Sequence, residues 1–337
     1  MNTSQKNLFI QTFLADKGIN DKKFDILKLA GDGSTRMFER IQPNSSGQTY
    51  IFMENHPSND LIKKENLAYL KIGKHLFSHG IPVPEMYSYD LDEGLFILED
   101  MGNRHLQEEI LNSENRIPLY EKVLEILLRI QVMGKEGFNP DWCCQSKTYD
   151  ASLMREKEAH YFRDSFLANY MKLEFDAASI EKAFDRIIMM ADKSEKTFLL
   201  HRDFQSRNIM CREPGGIAIL DWQGARLGPL AYDLASLLFD PYSSLSTYER
   251  DTLFEAYSKM LEGINRAAVD SLKFSYNYIA IMRLLQALGA YSNLSSNQGK
   301  TYFEKYIPPA LNSLKELIEE TGDPELSYLE IVIKNIE

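Results

Sequence analysis

The sequence predicts an α+β fold in two lobes: a small antiparallel-sheet lobe over residues 1–101 and a larger, mainly helical lobe over 102–337. Three observations carry that prediction. Strand-like runs crowd into the first hundred residues, parted by turns rich in Gly, Pro, Asn and Ser. Helical spacing of apolar residues dominates from about residue 104 onward. One block of short apolar runs within 198–220 interrupts the helices, and each run ends on polar residues.

Taken in order, Leu8, Ile10, Phe13 and Leu14 give residues 3–18 one apolar helical face, closed by Gly18. Strands are expected at 24–29, 37–41 and 49–53, with turns at Gly31-Asp32-Gly33-Ser34 and Pro43-Asn44-Ser45-Ser46-Gly47. Glycines let backbone N–H groups approach an anion, so Gly31, Gly33 and Ser34 suit a phosphate lid, although the same residues also fit an ordinary hairpin turn. Leu61, Leu67, Leu70, Ile72, Leu76 and Phe77 mark a helix over 60–79. It stops before Gly80-Ile81-Pro82-Val83-Pro84, where proline forbids helix. Strands at 84–89 and 95–99 complete the small lobe, and Leu98-Glu99-Asp100-Met101-Gly102 leads out of it.

Helices are expected at 117–133, 150–171 and 178–192, then at 229–239, 246–262, 266–293, 301–320 and 324–335. Tyr161, Phe162, Tyr276, Tyr278 and Tyr291 stand at helical spacing on these segments, where aromatics either fill a core or line a sugar pocket.

Composition narrows the function. With 44% hydrophobic and 26% charged residues the chain is an ordinary globular protein. A net charge of -11 argues against nucleic acid as a partner, since duplex binding draws on clustered Lys and Arg. No stretch reaches the roughly 18 apolar residues of a membrane span, and Met1 to Lys6 lacks a secretory pattern. A cytoplasmic protein is expected. Cys143, Cys144 and Cys211 fit a reducing compartment, and the adjacent pair has no zinc-ligand spacing.

The chemistry concentrates in 197–223. Phe198 to Leu200, Ile209-Met210 and Ile217 to Leu220 read as short strands, with Pro214-Gly215-Gly216 turning the chain between the last two. Asp203 follows the first run in His201-Arg202-Asp203, where a carboxylate can take the proton of an attacking hydroxyl. Asn208 stands five residues later and Asp221 closes the third run. Both are hard oxygen ligands. They suit Mg²⁺ that already bridges nucleotide phosphates, because Mg²⁺ keeps several waters and needs few protein ligands.

His-Arg-Asp, four residues, Asn, then Asp at a strand end resembles the catalytic loop and metal-binding Asp of the protein-kinase-like fold. Here the triplet is Asp221-Trp222-Gln223, no Ala-Pro-Glu follows, and the chain continues Leu227-Gly228-Pro229-Leu230-Ala231-Tyr232-Asp233-Leu234. That arrangement resembles the aminoglycoside phosphotransferase (phosphotransferase enzyme) family. Within it the sequence is most similar to bacterial anomeric sugar kinases acting on N-acetylmuramic acid and N-acetylglucosamine in cell-wall recycling. Leu29 to Arg36, Pro82 to Glu85, Leu98 to Gly102, Leu200 to Asn208, Leu220 to Pro229 and Arg283 to Tyr291 carry the likeness.

The resemblance implies ATP and Mg²⁺ as cofactors and a small amino sugar as the partner. It implies Asp203 as the catalytic residue and Asn208 and Asp221 as metal ligands. Nucleotide contacts would come from Gly31, Gly33, Ser34 and Arg36, and from backbone groups at Glu99 and Met101. Arg207 and Arg226 would meet a phosphate or sugar carboxylate bidentately, while His201 and Asp233 would support the loop.

One position departs from the kinase pattern. Met53 stands where the third strand usually carries a Lys paired with a helix Glu, so Glu65 would lack its Lys partner. An aminoglycoside, choline or homoserine kinase, and a nucleotide-binding pseudokinase, remain alternative readings.

Overall fold

The structure is a computed structural model that describes residues 3–19, 23–29, 36–111, 113–212 and 215–336. Its described residues fall into two compact units. The first takes in Met1–Arg104, Phe138–Gln145 and Met210–Ala225; the second takes in His105–Gly137, Ser146–Ile209 and Arg226–Glu337. Two segments from later in the chain, one on either side of its midpoint, thus return to the N-terminal unit.

Five strands build the sheet of the first unit: β1 (Phe24–Leu29), β2 (Met37–Pro43), β3 (Tyr50–Glu54), β4 (Met86–Asp90) and β5 (Leu95–Glu99). They run in the order β1-β2-β3-β5-β4 with every neighbouring pair antiparallel. Alternation sorts the side chains onto two faces. One face, with Ile41, Tyr50, Phe52, Leu95 and Ile97, is covered by Ile10, Phe13 and Leu14 of α1 (Thr3–Asp16). Met53 belongs to the other face, opposite Phe38 on β2 and Phe96 on β5, and is fully buried.

α2 (Asp60–Ser78) starts where the Asn59 side chain accepts the Ile62 N–H at 3.0 Å, an ordinary N-cap. Its Tyr69 ring meets Phe96 edge-on, which fixes the helix against the sheet. β7 (Ile209–Arg212) and β8 (Gly216–Ile219) form a separate hairpin, and a 3-10 turn over Trp222–Gly224 follows.

The second unit is helical apart from β6 (Phe198–Leu200) paired with β9 (Arg226–Gly228). Its helices are α3 (Leu106–Leu111), α4 (Ile117–Val132), α5 (Ala151–Met154), α6 (Ala177–Asp192), α7 (Ala231–Leu238) and α8 (Thr247–Glu262). α9 (Arg266–Gln298), α10 (Ile307–Thr321) and α11 (Ser327–Lys334) complete it. α9 spans about 50 Å at 1.5 Å per residue and packs against α6, α7, α8 and α10. Ile279, Ile281, Met282, Leu284, Leu285 and Leu288 bury its centre. Among the described residues, no helix is long and apolar enough to cross a membrane.

Several elements differ from the sequence expectation. The helix expected over 150–171 opens after α5 into π-helical stretches, Arg155–Ala159 and Phe162–Tyr170. The helix expected over 301–320 begins as a 3-10 turn, Thr301–Tyr306, and becomes α-helical only at Ile307, with Pro308 and Pro309 filling its first turn. α9 outruns its expected end at 293 because a polar face can continue a helix without apolar periodicity, and Gly299 stops it with a left-handed φ of 66°.

Candidate active site

In the first unit, chain geometry after β8 places Asp221. Its backbone is left-handed, φ 69° and ψ 42°, a conformation short polar side chains tolerate better than most. The next residue holds it there: Trp222 is fully buried, donates Nε1–H to the Tyr69 carbonyl at 2.8 Å, and stacks on the Tyr69 ring at 4.6 Å. Asp221 Oδ1 accepts from the Arg36 guanidinium at 2.5 Å, and Arg36 also donates to Gln223 Oε1 at 3.0 Å. Burial works against the Arg36 charge, but Asp221, Tyr69 and Glu65 outweigh it and the group holds its proton more tightly than usual.

The segment after β5 is fixed by Asp100, a residue to which the sequence assigned no separate role. Arg40 grips its carboxylate with two bonds, at 2.5 and 2.9 Å, and Thr49 Oγ1 and the Gly102 N–H donate at 2.6 and 2.9 Å. Burial alone would raise this carboxyl, and the four donors together hold it below the usual range. Met101 then packs with Met210, Ala218 and Leu220, an apolar surface of the kind that accepts a flat ring. Glu99 takes the Arg212 guanidinium at 2.9 Å and donates its backbone N–H to Glu85. Gly31, Gly33 and Ser34, expected at the lid, lie outside the described residues.

In the second unit, the loop from β6 carries Asp203. Asp233 of α7 is fully buried and accepts two of that loop's N–H groups, His201 at 2.6 Å and Arg202 at 2.8 Å. Burial pushes its carboxyl up to about 7 while those two donors pull it down. Asp240, just beyond α7, takes both the Ser206 N–H and hydroxyl at 2.8 and 2.6 Å. The loop is therefore clamped at both ends, with Arg202 in a left-handed turn at φ 76°. Asn208 donates its side-chain N–H to the Asp203 carbonyl at 2.8 Å, which leaves its oxygen as the ligand atom. His201 is buried edge-on against Phe204.

Behind the loop stands a buried carboxylate that sequence reasoning missed. Glu158 accepts from Tyr149 Oη at 2.5 Å and Tyr232 Oη at 3.1 Å, and burial pushes it up to about 7. Arg202 and Arg283 both sense its charge and that of Asp203. Arg283 also donates Nε–H to Ser236 at 2.8 Å.

The two candidate acceptor contacts are engaged by protein. Arg207 donates to Gln107 Oε1 at 3.0 Å and to Tyr302 and Tyr306, and lies 4.1 Å over the Tyr242 ring. Arg226 is 1% exposed and donates to Ser146. Phe162, Tyr276 and Tyr291 are buried core aromatics.

Among the described residues, no group of three or more His, Cys, Asp or Glu side chains could hold a metal by itself. The side-chain oxygens of Asp221 and Asn208 are hard donors, of the kind that suits an ion carried in largely by a nucleotide's own oxygens.

Comparison with known proteins bears on the fold and the family. The N-acetylmuramate/N-acetylglucosamine kinases of Caulobacter vibrioides and Neisseria meningitidis are each 26% identical to the chain, covering 91% of it and 90% and 93% of their own lengths. Plasmodium vivax ethanolamine kinase superposes with a TM-score of 0.61 at 14% identity, covering 93% of this chain and 90% of that one. An aminoglycoside phosphotransferase solved as a ternary complex with ADP and hygromycin B superposes at 0.51 with 18% identity, covering 89% and 98%. These likenesses establish the bilobal α+β, protein-kinase-like fold. The model of the phosphotransferase enzyme family matches residues 25–272, a span running from β1 into α9. Because that match takes in both units, the chain belongs to the phosphotransferase enzyme family.

Proposed function

We propose that the protein transfers the γ-phosphoryl group of ATP, with Mg²⁺, to the anomeric hydroxyl of N-acetylmuramate or N-acetylglucosamine, as a cytoplasmic enzyme of cell-wall recycling. The observation that carries the reading is the doubly clamped loop. Asp233 and Asp240 hold Asp203 and Asn208 on a fixed backbone, as phosphoryl transfer by positioning requires.

In this reading residues 1–101 bind nucleotide, with the adenine against Met101 and backbone groups of Glu99 and Met101, and residues 102–337 bind the acceptor. Asp203 orients the acceptor hydroxyl and takes its proton as the bond to the γ-phosphorus forms and the bond to the β-γ bridging oxygen breaks. Asn208 and Asp221 each present a side-chain oxygen to the cation, which when bound neutralises charge on the transferring group. Arg207 and Arg226 meet the acceptor only by exchanging bonds to Tyr302, Tyr306 or Ser146, so R207A is expected to raise KM more than it lowers kcat.

The likeness to N-acetylmuramate/N-acetylglucosamine kinases over nine-tenths of the chain favours an amino sugar over the cationic acceptors of a choline, homoserine or aminoglycoside kinase. Following ADP release with ATP and Mg²⁺ against N-acetylmuramate, N-acetylglucosamine, glucose, an aminoglycoside, choline and homoserine tests this. Turnover on the amino sugars, lost by at least about a thousandfold in D203N with ADP affinity kept, is the expected result. Turnover on choline or the aminoglycoside instead would move the acceptor to that class, and full activity in D203N would remove Asp203 as base.

A further inference from the structure

The position that carries the phosphate-holding Lys in kinase-like folds is Met53 here, fully buried between Phe38 and Phe96. No cation can come from that strand. Yet Asp221, which follows the short strands, does have a cationic partner in the first unit. That partner is Arg36.

Arg36 lies two residues before Phe38, the cross-strand partner of Met53, so alternation points it to the same side of the sheet. Its guanidinium passes 5.9 Å from the Phe38 ring and ends on Asp221 and Gln223. Glu65 of α2 adds to the field that strengthens its charge. The guanidinium is nine-tenths buried, and a group so desolvated is held only because carboxylates face it.

We propose that Arg36 replaces the missing strand Lys, reaching the nucleotide phosphates from the residue before β2 instead of from β3, and that its bond to Asp221 keeps the metal-binding carboxylate neutralised until a metal nucleotide arrives. The proposal rests on the kinase reading above. A guanidinium has five donors in a planar fork, so Arg36 can keep Gln223 while turning its other nitrogens from Asp221 to a phosphate. Asp221, released, meets the cation. The exchange couples the two events: phosphate competes with Asp221 for Arg36, and the metal competes with Arg36 for Asp221.

Titration calorimetry with ADP, with and without Mg²⁺, tests it on the full chain. R36Q, which keeps a polar side chain at the position, is expected to weaken Mg·ADP binding by about tenfold or more, the loss of one charge-assisted phosphate contact. D221N is the discriminating variant. It frees Arg36 from its carboxylate, so metal-free ADP should bind several-fold tighter than to the wild type, while the gain in affinity on adding Mg²⁺ shrinks. Thermal unfolding of both variants confirms that they are folded. If R36Q binds Mg·ADP like the wild type, or D221N binds metal-free ADP more weakly, Arg36 does not hold phosphate and the proposal is overturned. If the wild type itself binds neither ADP nor Mg·ADP, it is the kinase reading that fails.

Discussion

Glu158 shows what a single buried side chain does here. Its carboxyl is raised from an ordinary 4.5 to about 7 because burial penalises the charge, although Tyr149 and Tyr232 donate to it and Arg202 and Arg283 oppose the rise. The folded state therefore holds the proton that the unfolded chain releases. Its contribution to stability is fully present below about pH 4.5 and is lost as pH rises towards 7, by an amount on the order of 3 kcal/mol. E158Q, which has no such proton, should gain stability relative to the wild type across that window in denaturant titrations. A constant gap between the two from pH 5 to pH 8 would show that the carboxyl is not raised. The residues that surround the Asp203 loop differ in how readable they are. Asp203 and Asn208 are placed by apolar runs a few positions away, so their loop is visible in the sequence. Glu158, Asp240 and the partner of Arg36 are not, because the bonds that define them join residues far apart, 34 positions for Ser206 and Asp240 and 185 for Arg36 and Asp221.

At the level of elements, α2 is the support on which Asp221 depends. A Cβ added at Gly73 would lie 2.3 Å from Met86 Cε and 2.7 Å from the Trp222 ring, which itself sits on Tyr69. Helix propensity alone predicts that G73A gains about 1 kcal/mol. Overpacking predicts a loss of about 1–3 kcal/mol, together with weaker nucleotide binding as Trp222 and its neighbour Asp221 are displaced. Thermal unfolding separates the two by sign, and the loss is expected. The five strands of the sheet and most helices follow from period-two and period-3.6 patterns, which is why their limits agree within a few residues. β9 escaped because three residues, Arg226 to Gly228, carry no strand pattern of their own and pair only through β6. The π-helical stretches escaped for a related reason. A widened turn leaves the apolar composition unchanged, so the sequence over both stretches still reads as an ordinary helix.

Over the whole molecule, ligand binding should appear as stability. If nucleotide engages the native state alone, Mg·ADP at about a hundred times its Kd adds about 2.7 kcal/mol, a rise of several degrees in the unfolding temperature. D203N should keep that rise and D221N should lose most of its Mg²⁺-dependent part, which differential scanning fluorimetry reads directly. The chain's division into units was only partly open to sequence reading. A cut by composition assigns residues to lobes in chain order, whereas packing draws Phe138–Gln145 and Met210–Ala225 back to the N-terminal unit. The sequence contains two tryptophans, and the first unit holds both, Trp142 and Trp222. Trp222 is sealed from solvent, bonded through its indole to a backbone carbonyl, and adjacent in sequence to Asp221. W142F would leave one fluorophore, emitting at the blue end of the tryptophan range, beside the carboxylate whose partner is expected to change. The enzyme thus carries its own optical gauge: nucleotide and metal could be titrated by light, with no label attached.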